Sequence, residues 1–196
     1  EETVNESGDL IITSYQNVPL AEINGFEIEY EQVFEAIMDS PNDLLVKFNY
    51  TETESEVIVN PGDTYINNIG TVVDAKSLLA NGRDTRLQGQ SDTIANFQIG
   101  LDNLQNQTQA TLIVNYVSDR VRARGIDVLP DIIEEPPLLV DFAFSKIYSY
   151  PEFELKLSLE LRNLLDEEYY ASMRNIAIYD QYDLGTSASL GFKISF

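Results

Sequence analysis

The feature that most constrains this chain is a strict two-residue alternation of apolar and polar side chains, which recurs seven times along 196 residues. Successive side chains of a β-strand point to opposite faces, so an alternation of this kind sorts each segment into an apolar face and a wet one. The last segment is the cleanest. Leu190, Phe192, Ile194 and Phe196 share one face, and Ser189, Gly191, Lys193 and Ser195 share the other. Before it, Phe153, Leu155, Leu157, Leu159 and Leu161 alternate with Glu154, Lys156, Ser158, Glu160 and Arg162, whose charges require water on their side. Val140, Phe142 and Phe144 oppose Asp141, Ala143 and Ser145, and Ala110, Leu112, Val114 and Tyr116 oppose Thr111, Ile113, Asn115 and Val117.

The pattern persists upstream. Ala95, Phe97, Ile99 and Leu101 face away from Asn96, Gln98 and Gly100, and Leu44, Val46, Phe48 and Tyr50 face away from Lys47, Asn49 and Thr51, with Leu45 as the exception. The earliest segment sets Phe26, Ile28, Tyr30, Gln32 and Phe34 against Glu27, Glu29, Glu31 and Val33. A helix would scatter those glutamates around its circumference, so a strand is expected here.

Strands of this kind suit either a soluble antiparallel sandwich or a membrane-spanning barrel. The connections favour the barrel. Short ones at 39–43, 102–107 and 149–152 alternate with long ones at about 60–90, 120–137 and 164–185, as in outer-membrane barrels with tight turns on one side and large loops on the other. About ten residues at roughly 3.3 Å rise and a tilt near 45° span roughly 23 Å, close to the apolar band of such barrels. Aromatics sit at segment ends: Tyr148, Tyr150 and Phe153 flank a short turn, and Tyr169 and Tyr170 enter a long loop, as interfacial girdles do.

Composition removes several other classes. Asp and Glu number 33 against 12 Lys and Arg, a formal charge of −21, which argues against nucleic acid as a partner. There is no Cys and no His, so disulfides, thiolate metal sites and the commonest acid–base and zinc ligand are absent. No segment approaches the roughly 18 apolar residues of a membrane helix. The opening Glu1-Glu2-Thr3 fits a mature secreted chain or an internal start.

The stretch Asn163-Leu164-Leu165-Asp166-Glu167-Glu168-Tyr169-Tyr170, the later Tyr182-Asp183-Leu184-Gly185 and the alternating strand ending at Phe196 resemble the C-terminal signature of TonB-dependent outer-membrane receptors. Tyr15-Gln16-Asn17 with Gly25-Phe26-Glu27-Ile28-Glu29, and Leu87-Gln88-Gly89-Gln90-Ser91 leading to Asn96, resemble the same family. Thr186 departs from it, because an Arg commonly follows the Gly there.

The resemblance implies an all-β, antiparallel up-and-down transmembrane barrel of about 22 strands closed around a plug. Residues 1–196 would be its C-terminal segment and supply the last seven strands. Residues 1–16 would form an extracellular loop and the rim of the first strand. Seven strands leave unpaired backbone groups in lipid at both edges, so the plug and earlier strands must come from the N-terminal remainder of the receptor. The complete protein would sit in the bacterial outer membrane among lipid and lipopolysaccharide. It would be assembled by the barrel-assembly machinery and would take energy from TonB through its N-terminal part. It would import a small-molecule nutrient, an iron–siderophore complex first, otherwise a vitamin or saccharide. No enzymatic activity and no cofactor is implied.

Ligand residues are expected on the loops and upper lumen. Arg83, Arg86, Arg120, Arg122, Arg124 and Arg174 are candidates for holding an anionic ligand through bidentate guanidinium contacts, against ordinary charge pairing in an acidic loop region. Tyr65, Tyr179 and Tyr182 are candidates for stacking on a sugar or catechol ring, while interfacial anchoring is the favoured role for Tyr169 and Tyr170. Asp166, Glu167, Glu168, Asp180 and Asp183 lack the spacing of a Ca²⁺ loop and are read as solvated, so no metal site is expected. Glu154, Lys156, Glu160, Arg162 and Lys193 are read as a charge ladder in the lumen. In the receptor family a terminal aromatic such as Phe196 resembles the recognition signal for barrel assembly. Asn49-Tyr50-Thr51 and Asn106-Gln107-Thr108 match glycosylation acceptors but fall in a strand and a turn, where that reading is discounted.

Two alternatives remain at this point. A self-contained barrel of about eight strands, with Leu10 to Gln16 as the eighth, would act as an adhesin or small pore. An outer-membrane hydrolase would need a nucleophile activated without His.

Overall fold

A computed structural model of the chain describes residues 2–7, 10–15, 20–37, 41–66, 71–77, 84–125, 129–174 and 176–196, the first two stretches and Ile66 as backbone only. Its ordered elements are strands, with no α-helix among the described residues. Seven of them form one antiparallel sheet: β3 (Leu20–Phe34), β4 (Asn42–Ile58), β7 (Thr93–Asn103), β8 (Thr108–Val117), β11 (Leu139–Ser149), β12 (Glu154–Arg162) and β15 (Ser187–Ser195). They lie side by side in sequence order, β3-β4-β7-β8-β11-β12-β15, an uninterrupted meander. These are the seven alternating segments, although β3 and β4 run several residues further than the alternation alone predicts.

The register brings the alternations together into continuous rows. Phe34, Leu44, Leu101, Ala110, Phe144, Leu159 and Leu190 align across all seven strands. Two residues up from Phe144 a parallel row runs through Gln32, Val46, Ile99, Leu112, Phe142 and Leu161. The opposite face carries polar rows. Glu29, Asn49, Asn96 and Asn115 align, the Asn49 amide donates to Glu27 at 2.5 Å and that of Asn96 to Asn49 at 3.4 Å. Lys47 pairs with Glu31 at 2.8 Å. The charges on β12 behave less like a ladder: Arg162 pairs with Glu160 on its own strand, and Lys156 sits directly opposite Lys193.

Among the described residues neither face of this sheet has a second layer packed on it. Every substantial strand–strand contact is between hydrogen-bonded neighbours, whereas a sandwich buries one sheet against another at about 10 Å. Among the described residues the buried apolar ones are Val57, Tyr65, Ala75, Val121, Ala123, Ile132 and Ala171, none of them in the apolar rows. Leu190 and Phe192 are 82% and 77% exposed, and Phe97 and Leu101 also lie open. Among the described residues the apolar rows therefore bury no core, and their side chains stand largely uncovered.

The short turns are closed locally: Asn103 Oδ1 accepts the Asn106 N–H at 2.8 Å, and Asp43 Oδ1 accepts that of Ala36 at 3.0 Å. The long connections, expected as loops, instead hold further strands. Two short strands, β5 (Thr64–Ile66) and β6 (Val72–Asp74), pair between β4 and β7. β9 (Arg120–Gly125) and β10 (Ile132–Glu135) lie between β8 and β11, and β13 (Glu168–Met173) and β14 (Ala177–Asp183) between β12 and β15. With the N-terminal hairpin of β1 (Glu2–Ser7) and β2 (Leu10–Tyr15) they make a second sheet, in the order β14-β13-β10-β9-β1-β2. The stretch from Leu10, an eighth barrel strand only in the small-barrel alternative, thus pairs with β1, and residues expected as a loop and rim form a hairpin. Gln16, the last residue of that expected strand, lies outside the described residues.

Candidate functional site

The second sheet is continuous with the first because its strands extend the same hairpins. Only Ser118 and Asp119 separate β8 from β9, and three residues separate β10 from β11. Where the two sheets meet, the segment before β7 folds back on β9, and the Gly89 N–H donates to the Val121 carbonyl at 2.9 Å. A cleft of about 440 Å³ opens here, lined among others by Asp84, Arg86, Asp119, Asp131, Glu135 and Arg174.

Charge pairing dominates the cleft. Arg86 reaches three carboxylates, Asp84 at 2.7 Å, Asp119 at 2.9 Å and Asp92 at 3.2 Å, and it also donates to the Asp119 carbonyl at 3.0 Å. Behind it Arg124 is fully buried, pairing with Asp131 at 3.3 Å and donating to the carbonyls of Asp84 and Arg86. Burial works against the Asp84 carboxylate, yet the hydrogen bonds from Arg86 and the charges of Arg86 and Arg124 together hold it below the usual carboxylate range. The Arg86 guanidinium is in turn held charged by Asp84 and Asp119, against the cost of burial. An anion entering here would meet more carboxylate than free guanidinium. Arg174, at the β13–β14 turn with φ of 45°, lines the same cleft and has no ion pair among the described residues.

A second cluster stands on the loop sheet itself. The register of β9 against β10 skips Arg122, since Ile132 faces Ala123 and Ile133 faces Val121. The register of β13 against β14 skips Tyr179, since Ala171 faces Asp180 and Ser172 faces Ile178. Each skipped residue is a bulge, which re-aims its side chain, and the two converge: the Arg122 guanidinium carbon lies 5.4 Å from the Tyr179 ring centre and 5.8 Å from that of Tyr169. Arg122 also donates to the Tyr169 hydroxyl at 2.9 Å and to Asp180 at 3.2 Å. Tyr169 stacks on Tyr182 with centroids 4.7 Å apart and planes 18° from parallel. Tyr169 and Tyr179 lean on a small core of Ala123, Ile132 and Ala171. Burial and the Glu134 charge raise the Tyr169 hydroxyl above its ordinary value, with Arg122 offsetting part of this. On the same strand as Arg122, Arg120 pairs with Glu134 at 2.8 Å.

The sequence candidates thus fall into two groups and three outliers. Arg86, Arg124 and Arg174 meet at the cleft, and Arg122, Tyr179 and Tyr182 meet on the loop sheet with Tyr169, while Arg120 pairs beside them. Tyr65 is buried in the β5–β6 hairpin against Ala75, Val59 and Val73, its hydroxyl accepting from Ser77 at 3.2 Å, and does not line the cleft. Phe196 follows β15, fully exposed, with its ring centre 6.5 Å from that of Phe153. Arg83 lies outside the described residues.

Sequence reasoning missed the carboxylates that occupy the arginines, because Arg122 and Asp180 are separated by 58 residues and only the assembled sheet joins them. It also missed a tie at the base of the last long loop. Buried Asn163 donates to the Glu167 and Gly185 carbonyls at 3.1 and 3.2 Å, and the Thr186 hydroxyl donates to the Asn163 carbonyl at 2.9 Å. Thr186, where an Arg was the expected residue, serves here as a short donor that closes the loop onto β12.

No family model, curated protein or solved structure matches this chain.

Proposed function

We propose that this chain is the C-terminal wall segment of a TonB-dependent receptor in the bacterial outer membrane, supplying seven barrel strands and the loops above them for uptake of a scarce nutrient. The observation that carries the reading is the single-layered meander. Its seven strands align their apolar residues in continuous rows on one face and their polar residues on the other, and neither face meets a second layer among the described residues. A wall between lipid and water needs that asymmetry. In water it would leave a large apolar face uncovered.

Strand length supports the same reading. β3 has 15 residues, which at roughly 3.3 Å each and a tilt near 45° rise by about 35 Å, beyond the roughly 9–11 residues that one crossing needs. The surplus, together with the six-stranded loop sheet, would stand clear of the bilayer and present the binding surface. The smaller closed barrel loses support because β2 is occupied by β1 in the loop sheet.

The test is made on the protein as its host produces it, with whatever sequence is encoded upstream. Heat-modifiable migration on gels, recovery in the outer-membrane fraction and a growth defect of the deletion strain on one limiting nutrient are expected. Recovery as a folded soluble protein would overturn the assignment.

A further inference from the structure

We infer that the loop sheet carries a binding platform for a neutral saccharide, built from Tyr182 stacked on Tyr169 and flanked by the Arg122–Asp180 pair. This inference rests on the receptor reading, which puts that sheet outside the cell, and it names the class of nutrient received there.

The platform is assembled by two separate irregularities. Bulges cost regular ladder pairing and re-aim a side chain, and here one in β9 and one in β14 turn Arg122 and Tyr179 toward each other. Arg122 then holds Tyr169 from one side by its hydroxyl and ring, and Ala123, Ile132 and Ala171 support Tyr169 from the core. Tyr169 is thus fixed, and it in turn holds Tyr182 nearly parallel at 4.7 Å. Tyr182 remains 50% exposed. The product is a braced aromatic surface open to solvent, with Asp180 two residues before Tyr182 on the same strand and Arg122 paired to it. Interfacial anchoring would explain an exposed tyrosine, but not this bracing of Tyr169 by a cation and a second ring.

The chemistry of the flanking groups selects the ligand. Arg122 is balanced by Asp180 at 3.2 Å, with side chains 37% and 39% exposed, so the pair carries no net charge. It offers guanidinium donors and carboxylate acceptors side by side. Glu134 is itself balanced by Arg120, and the formal charge of −21 repels anions, which disfavours phosphorylated ligands and anionic metal chelates. Arg122 already occupies faces of Tyr169 and Tyr179, which leaves a cation the single open ring of Tyr182 in place of the several rings of an aromatic cage. An uncharged pyranose meets every condition: its C–H face lies on an aromatic ring, and its hydroxyls both donate and accept at the rim.

The experiment uses the receptor purified in detergent from outer membranes, probed with maltoheptaose, laminarihexaose, xylohexaose and chitohexaose, with a ferric tris-catecholate as anionic probe and tetramethylammonium as cationic probe. At least one neutral oligosaccharide should bind. Tyr182→Ala should weaken it about tenfold, the loss of one stacking contact, while Tyr182→Phe and Tyr182→Trp should retain it. Binding of none of the neutral probes, preference for either charged probe, or equal affinity of Tyr182→Ala and the natural protein would each overturn the inference. Those results leave the receptor assignment standing, because the purification itself tests whether the chain resides in the outer membrane.

Discussion

Arg124 and Asp131 form an ion pair at 3.3 Å with side chains 0% and 1% exposed, the most deeply buried charges among the described residues. They fasten the segment before β7 to β9, because Arg124 also donates to the Asp84 and Arg86 carbonyls and Asp131 Oδ1 accepts the Gly125 N–H at 3.0 Å. Removing one partner strands a buried charge, at about 3–5 kcal/mol, whereas replacing both by apolar groups is far less costly. Arg124→Met is therefore expected to expose residues 84–92 to limited proteolysis, and adding Asp131→Leu to recover part of the lost thermal stability without returning the protection, because the donors to the Asp84 and Arg86 carbonyls stay absent. A double variant no more stable to heat than the single one, or a single variant cleaved no faster than the natural protein, would contradict this.

The two faces of β8 should respond oppositely to charge. Leu112 lies in an apolar row between Ile99 and Phe142, and its neighbour Thr111 lies on the polar face between Gly100 and Ala143. Under the receptor reading Leu112→Arg costs about 2–4 kcal/mol at mid-membrane and reduces the heat-modifiable species, while Thr111→Lys leaves it intact. If both variants assemble equally well, the apolar rows do not face lipid.

Acid should loosen the cleft before it disturbs the wall. Asp84 titrates lower in the folded protein than in the unfolded chain, so its contribution to stability is complete above the unfolded value of about 3.9 and is lost as pH falls through the lower folded value. Exchange protection of the Gly89 amide, corrected for intrinsic rate, should persist to about pH 4 and decline below it, with little change at Leu112. Asp84→Asn should show the low-pH behaviour already at neutrality. Constant protection down to pH 2 would show that this carboxylate does not hold the segment.

Phe196 follows the last residue of β15 with its ring fully exposed, so its removal takes away no buried packing. Under the receptor reading, deleting it is expected to slow the appearance of the heat-modifiable form in a pulse-chase, leaving the stability of already assembled protein unchanged. Unaltered assembly kinetics would remove the assembly-signal role.

The meander was legible in the sequence because each of its strands keeps apolar and polar side chains on opposite faces, as Phe153 to Arg162 do without a fault. The loop sheet was not. β9 reads Arg-Val-Arg-Ala-Arg-Gly and alternates, yet Arg122 falls at a bulge and Arg124 is buried beside Ala123 and Gly125, so the residue types do not tell which side chains face inward. The clustering of arginines was visible, but their occupation by Asp84, Asp119, Asp131 and Asp180 was not, because those partners are chosen by assembly of distant segments. Tyr65 illustrates the converse: a tyrosine in a polar stretch gives no local sign that it will form the centre of the β5–β6 hairpin.

β3 and β15, the two free borders of the meander, run in the same direction, since six antiparallel steps separate them. Under the receptor reading, two copies of this chain arranged about an axis along the pore would therefore meet at seams of parallel strands, and any twofold that made those seams antiparallel would send one set of loops to the wrong side of the bilayer. An all-antiparallel ring can be completed only by an odd number of additional strands. Parity thus denies two copies an all-antiparallel closure, whatever the affinity of one border for the other.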